Sequence, residues 1–297
     1  MYQHLLVPVE DTDAGIEAIG HATEFAQAVG ARITFLHVSS ASCGVSGATP
    51  GNADEHADAL LARAEAGARA QGVPCTCVAA AGAGTLGTLL AQARRHDCDL
   101  ICTGASLPDG HAASAEVILP AMLSCGTDRR PAVAASIGAL LSAHRTLADM
   151  LHEWLDTIRA AHDRSAAPSA ATTRDIARRL QDLPARGFRA KEKVALFRRL
   201  RKRTSRLNAE LAELERLHRR DDELVHELTR VVGREPDCAD APEDIERAVS
   251  AYARFVWEWM GREQGVILPA ARRYLSYADW TEIDGTFSPA ERATNIE

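Results

Sequence analysis

The apolar positions of this chain fall into two regimes. Up to about residue 135, short apolar runs alternate with stretches of helical periodicity; from Ser136 the runs cease and only helical periodicity remains. In the first regime HLLVPVE near the N-terminus, RITFLHV, VPCTCVA and DLICTG at 99–104 read as strands, and PAVAA at 131–135 as a last one. Between them, residues 13–29 carry Ile16, Ile19, Ala22, Phe25 and Ala26 on one helical face and stop at Gly30. Further helices are predicted at about 53–71, 85–96 and 112–124, with a Gly/Ser-rich loop over 39–52. Strands alternating with helices predict a parallel sheet covered on both faces.

The second regime predicts four amphipathic helices. In the first, about 137–162, Leu140, His144, Leu147, Leu151, Trp154 and Ile158 form one stripe, followed by the linker HDRSAAPSAATT. The second spans 173–204, bent near Pro184 and Gly187, with Phe188, Glu192, Leu196, Arg199 and Leu200 on a common face. The third, about 205–232, places His218 and Asp222 in a leucine and valine stripe and ends at Gly233. The fourth, about 242–275, has Val249, Tyr252, Val256, Trp259, Val266 and Ala270 at alternating steps of three and four, with Glu263 on the same face. Ser276 and Asp279 suit the start of a short final helix. Short connections predict an antiparallel four-helix bundle. A carboxylate in a core stripe requires a metal, a hydrogen-bond network or a proton, since an unpaired buried charge is very costly.

Composition sharpens this outline. A length of 297 residues with 46% apolar content suits two domains. No segment approaches a membrane span and the N-terminus lacks a secretory pattern, so a cytoplasmic protein without membrane association is expected. The seven cysteines are odd in number and lack metal-type pairing, which suits reduced thiols. Residues 1–135 contain 7 Arg, no Lys and 14 Asp or Glu, so their field does not draw phosphate from afar. By contrast, Arg186 to Arg206 contains ten Lys or Arg and one acid. In a neutral domain, this run reads as a solvated helix face rather than a surface for nucleic acid or an acidic partner, with docking against the acidic N-terminal half as the middle option.

LLVPVED at the first strand, GARITFLHV at the second and CDLICTGAS at the fourth resemble the universal stress protein family over residues 1–135. The resemblance implies a Rossmann-like fold of five parallel strands, frequent dimerisation and, in many members, ATP. It places nucleotide contacts at Glu10, after the first strand, and at Gly104, the first glycine of a phosphate cradle. Leu107 stands where the second cradle glycine is expected, and no Gly-Ser pair follows among residues 111–120; Gly110 is a partial substitute. The cradle requires glycines because backbone amides must approach the phosphates closely.

SAHRTLADMLHEW, PARGFRAKEKVALFRRLR, LERLHRRDDELVHEL and FVWEWMGREQGVILPAARRYLSYADWTEID resemble the hemerythrin-like, cation-binding family, here over residues 136–287, with 288–297 as a tail. The resemblance implies an all-α four-helix bundle with a di-iron centre and makes His144, Glu192, His218, Asp222 and Glu263 the candidate ligands. Phe188 and Trp259 stand where the family commonly has histidine, and Arg189 and Val256 where related sequences do. No nucleophile stands in a recognisable catalytic context, so no enzyme is expected. The leading expectation is a stress-response binding or sensor protein with both ligand sites eroded and an unknown protein partner. The alternatives are a non-haem iron or manganese protein, and an ATP-binding regulator.

Overall fold

β1 (His4–Pro8) lies at the centre of the N-terminal sheet and is buried along its whole length. The computed structural model describes residues 2–39, 50–82, 85–104, 121–124, 130–163, 175, 178–179, 184–232 and 241–287. β1 pairs in parallel with β2 (Arg32–Ser39) and with β4 (Leu100–Thr103). β3 (Cys75–Ala81) adds to β2 and β5 (Ala121–Ser124) to β4, also in parallel, giving the order β3-β2-β1-β4-β5. Successive side chains of a strand face opposite ways. Leu5 and Val7 therefore enter a core with Phe35, Leu60 and Leu61, while Leu6 joins Leu36, Leu89 and Ile101 on the other face.

α1 (Asp13–Val29) begins where Thr12 Oγ1 accepts the Gly15 N–H at 3.0 Å, and ends at Gly30 in the left-handed region, φ 71°. α2 (Pro50–Ala70) and α3 (Leu86–Arg95) complete the crossovers of the described sheet. Below β1, Asp99 accepts the backbone N–H groups of Gln3 and His4, and His4 Nε2 meets Thr34 Oγ1 at 2.8 Å.

Two expectations require correction. The last strand is Ala121–Ser124, not 131–135, which form the first turn of helix α4 (Pro131–Asp163). Proline at a first helical position loses no hydrogen bond, and the alanine-rich sequence behind it favours helix. The expected helix near 112–124 accordingly ends in strand; residues 112–120, and most of the 39–52 loop, lie outside the described residues.

The chain divides into two compact units, residues 1–128 with 260–270, and residues 129–259 with 271–297. Within the first, segment 260–270 meets α2 backbone to backbone. A Cβ on Gly67 would stand 2.8 Å from the Gly261 carbonyl and 2.9 Å from Gly265 Cα. The Gln71 amide donates to the Gly265 carbonyl.

The second unit is helical, and one of its helices contributes the 260–270 segment to the first. α5 (Pro184–Glu192) runs through a π-helical turn, π1 (Lys193–Phe197), into α6 (Arg198–Arg203). α7 (Asn208–Val232) follows, then α8 (Ala241–Arg262), which passes through a second π-turn, π2 (Glu263–Ile267), into α9 (Leu268–Tyr274). α10 (Tyr277–Phe287) is an additional shorter helix packed on α4, so the bundle has more than four helical members. Ser276 and Asp279 form its reciprocal cap: Asp279 N–H donates to Ser276 Oγ at 3.2 Å and Ser276 N–H to Asp279 Oδ2 at 2.9 Å. Among the described residues no helix is long and apolar enough to cross a membrane.

Candidate metal centre

All six stripe residues of α4, His144 included, are buried. On α8, Val249, Tyr252, Val256 and Trp259 are buried as their spacing predicts. Trp259 is the hub of the bundle: His144 of α4 and His218 of α7 meet its ring edge-on at centroid distances of 5.3 and 5.2 Å. The Arg189 guanidinium of α5 stands 5.1 Å from the same ring, a cation–π contact.

One turn beyond Trp259, Glu263 is fully buried, and Glu192 of α5 is 1% exposed. A donor atom from each, with one imidazole nitrogen of His218, lies within 4.8 Å of the others. Both carboxylates sit where an α-helix becomes π-helical: Glu192 directly precedes π1 and Glu263 opens π2. A π-turn widens the helix and re-aims the side chains beside it, and such turns concentrate at functional sites. Phe197, inside π1, stacks on the His218 ring at 6.2 Å and 17°.

The donor chemistry fits one divalent cation. Two carboxylates and an imidazole offset a double positive charge, and donors on opposite sides of a metal are separated by two bond lengths, about 4.4 Å. A spread of 4.8 Å closes with small side-chain adjustments. A pair of metals fits less well, because a permanent cation, Arg189, lies over the Trp259 ring that His218 also meets. Arg189 Nη1 contacts Asp221 Oδ2 at 2.6 Å, and Tyr252 donates its hydroxyl to Asp221 Oδ1 at 3.0 Å. Burial opposes the charge on Arg189, but Asp221, Tyr252 and Asp222 together more than offset it, so the guanidinium titrates above its ordinary value.

Of the five expected ligands the structure thus brings together Glu192, His218 and Glu263. His144 lies against Trp259 and is not part of that cluster. Asp222 is exposed; its neighbour Asp221, fully buried, holds the inward position and is engaged by Arg189 and Tyr252. The buried stripe of α7 runs Leu211, Leu214, Leu217, Asp221, Val225, one residue earlier than the reading through His218 and Asp222. Asp221 and Arg189 were legible only as a charged pair on different helices, which no local spacing reveals. Phe188, on the same face as Glu192 in the sequence reading, is half-buried and packs on the buried Phe287 with ring centroids 4.5 Å apart.

Glu10 and Gly104 lie past the carboxyl ends of β1 and β4, at the switch point where sheets of this order bind ligands. Glu10 is exposed. At Gly104 a Cβ would fall 2.0 Å from the Ala14 carbonyl oxygen, so packing against α1 by itself demands glycine there. Leu107, Gly110 and residues 111–120 lie outside the described residues.

Comparison with known proteins agrees with both halves. Residues 1–111 match the Universal stress protein family, and residues 135–271 match the Hemerythrin HHE cation binding domain. The chain therefore joins a universal stress protein domain to a hemerythrin-like domain. No curated protein matches it. Among solved structures it is similar to a universal stress protein family member from Burkholderia pseudomallei, at 22% identity and TM-score 0.31 over 34% of this chain and 79% of that one. It is also similar to a universal stress protein in complex with cAMP (25%, TM-score 0.28, 34% and 70% covered). Universal stress protein UspA from Lactobacillus plantarum is a third (23%, TM-score 0.29, 43% and 98%).

Proposed function

We propose that this chain is a stress-response binding protein whose helical domain takes up a single divalent metal ion, iron(II) foremost and manganese(II) as its chemical neighbour, through Glu192, His218 and Glu263. The observation that carries the reading is the convergence of these three donors at the two π-turns. A bound iron would supply a redox-active centre able to report oxygen or oxidants. This chain's residues would hold it in apolar surroundings: Phe197 stacks on the His218 ring and Trp259 meets that ring edge-on, while Arg189 covers the Trp259 ring. The role is binding or sensing in the cytoplasm rather than catalysis. Where Arg189 and Trp259 now stand, the bundle gives up a two-metal centre for one.

Metal analysis after anaerobic, iron-supplemented expression tests this. About one metal per chain is expected, falling severalfold in Glu263→Ala and in His218→Ala but not in Asp222→Ala. Near-zero metal in the parent protein, or about two ions per chain, would overturn the reading.

A further inference from the structure

The basic run of α6 forms one wall of a groove whose opposite wall is α10. The groove encloses about 570 Å³ and is lined by Val194, Ala195, Arg198, Arg199, Lys202, Arg203, Asp279, Glu282 and Thr286. That volume lies in the range of small-molecule sites. The basic residues fall in two rows at four-residue spacing, Arg198 with Lys202 and Arg199 with Arg203, so each row occupies one helix face.

The inner row is fixed by α10. Arg199 pairs with Glu282 and donates to the Ala195 carbonyl at 3.0 Å. Arg203 Nη2 meets Asp279 Oδ2 at 2.7 Å, on the carboxylate that also caps α10. The outer row is different: Arg198 and Lys202 are exposed and make no ion pair with a described residue. Four cations against two carboxylates leave the groove two positive charges in excess, both on the outer row. Val194, 60% exposed, adds an apolar patch at the rim. A solvated helix face requires neither a groove nor a facing wall that clamps half of its cations. Two free cations beside an apolar rim match a doubly charged anion with an organic body.

We infer that this groove binds a small phosphate-bearing molecule, its phosphate held by Arg198 and Lys202 and its organic part lying over Val194. The clamped Arg199 and Arg203 keep α6 and α10 at fixed spacing and add positive potential without giving up their own partners. Guanidinium and ammonium groups bind phosphate through charge-assisted hydrogen bonds. The metal centre takes no part in this inference.

The test is calorimetric titration of the full-length, metal-free protein with pyrophosphate at moderate salt. Saturable binding at one site per chain is expected, weakened about tenfold or more in Arg198→Ser/Lys202→Ser. Arg216→Ser, which removes an exposed arginine of α7 paired with Glu213, should leave it unchanged. Because the substituted side chains are exposed, far-UV circular dichroism should not change. Absence of saturable binding, or an equal loss in Arg216→Ser, overturns the inference. So does a single-stranded oligonucleotide that binds tightly and is not displaced by pyrophosphate, which would assign the surface to nucleic acid.

Discussion

Replacing Arg189 by leucine removes the cation that balances Asp221 inside the bundle. Asp221 is fully buried, and in the variant its carboxylate retains the Tyr252 hydroxyl but loses the 2.6 Å contact to the guanidinium. Breaking one side of a buried ion pair costs about 3–5 kcal/mol. Arg189 is 11% exposed, so some screening remains and the lower end, about 3 kcal/mol, applies. The protein's four tryptophans, 154, 257, 259 and 280, all lie in the helical domain, so their fluorescence isolates its unfolding from that of the sheet. With a urea slope of about 1.5–2 kcal/mol/M, the midpoint should fall by about 1.5–2 M. The double variant Arg189→Leu/Asp221→Asn removes both charges while keeping an acceptor for Tyr252, and should return to within about 1 kcal/mol of the parent. A loss below about 1 kcal/mol in the single variant, or no recovery in the double, refutes the claim that Asp221 depends on this pairing.

Further outcomes follow from the same structure. Gly104→Ala should destabilise the sheet domain by about 1–3 kcal/mol in thermal unfolding without any nucleotide present, because its Cβ meets the Ala14 carbonyl. Gly265→Val should cost at least as much, since the new Cβ would stand 2.6 Å from Gly67 Cα. His4 titrates below its ordinary value because burial, and then Arg32, disfavour its charge. Its neutral form thus stabilises the fold above pH about 6.5, and that contribution fades as pH falls through this value toward the lowered native one. Comparing His4→Gln with the parent from pH 7.5 to 5 should show a flatter profile in the variant. Burial pushes the Cys98 thiol up to about 11. Its alkylation at pH 8 should therefore run about a hundredfold slower than that of free cysteine, as followed by mass spectrometry.

Much of this architecture could be read from the sequence, and the exceptions share physical causes. The α4 stripe was fully legible because an uninterrupted α-helix keeps one phase from Leu140 to Ile158. On the fourth helix the same counting works through Trp259, but π2 then adds a residue to the turn, so Ile267 is buried and Val266 half-buried. Glu192 and Glu263 were visible as carboxylates in apolar stripes. Asp221 was hidden because it sits beside Asp222, and only the arrival of Arg189 from another helix shows which of the two turns inward. The true fifth strand, four residues long, is too short to carry a period of its own.

The paired π-turns also divide the labour along each helix. An α-helix ties every side chain to one rotational phase, so turning a single residue by one position, about 100°, would turn all those beyond it. Where a wide turn intervenes, the two sides are phased separately. On α5 and α8 the carboxylate thus lies at the join of two phases, and the helix beyond packs in its own. The candidate ligand positions and the core beyond them are set in different phases of one continuous rod.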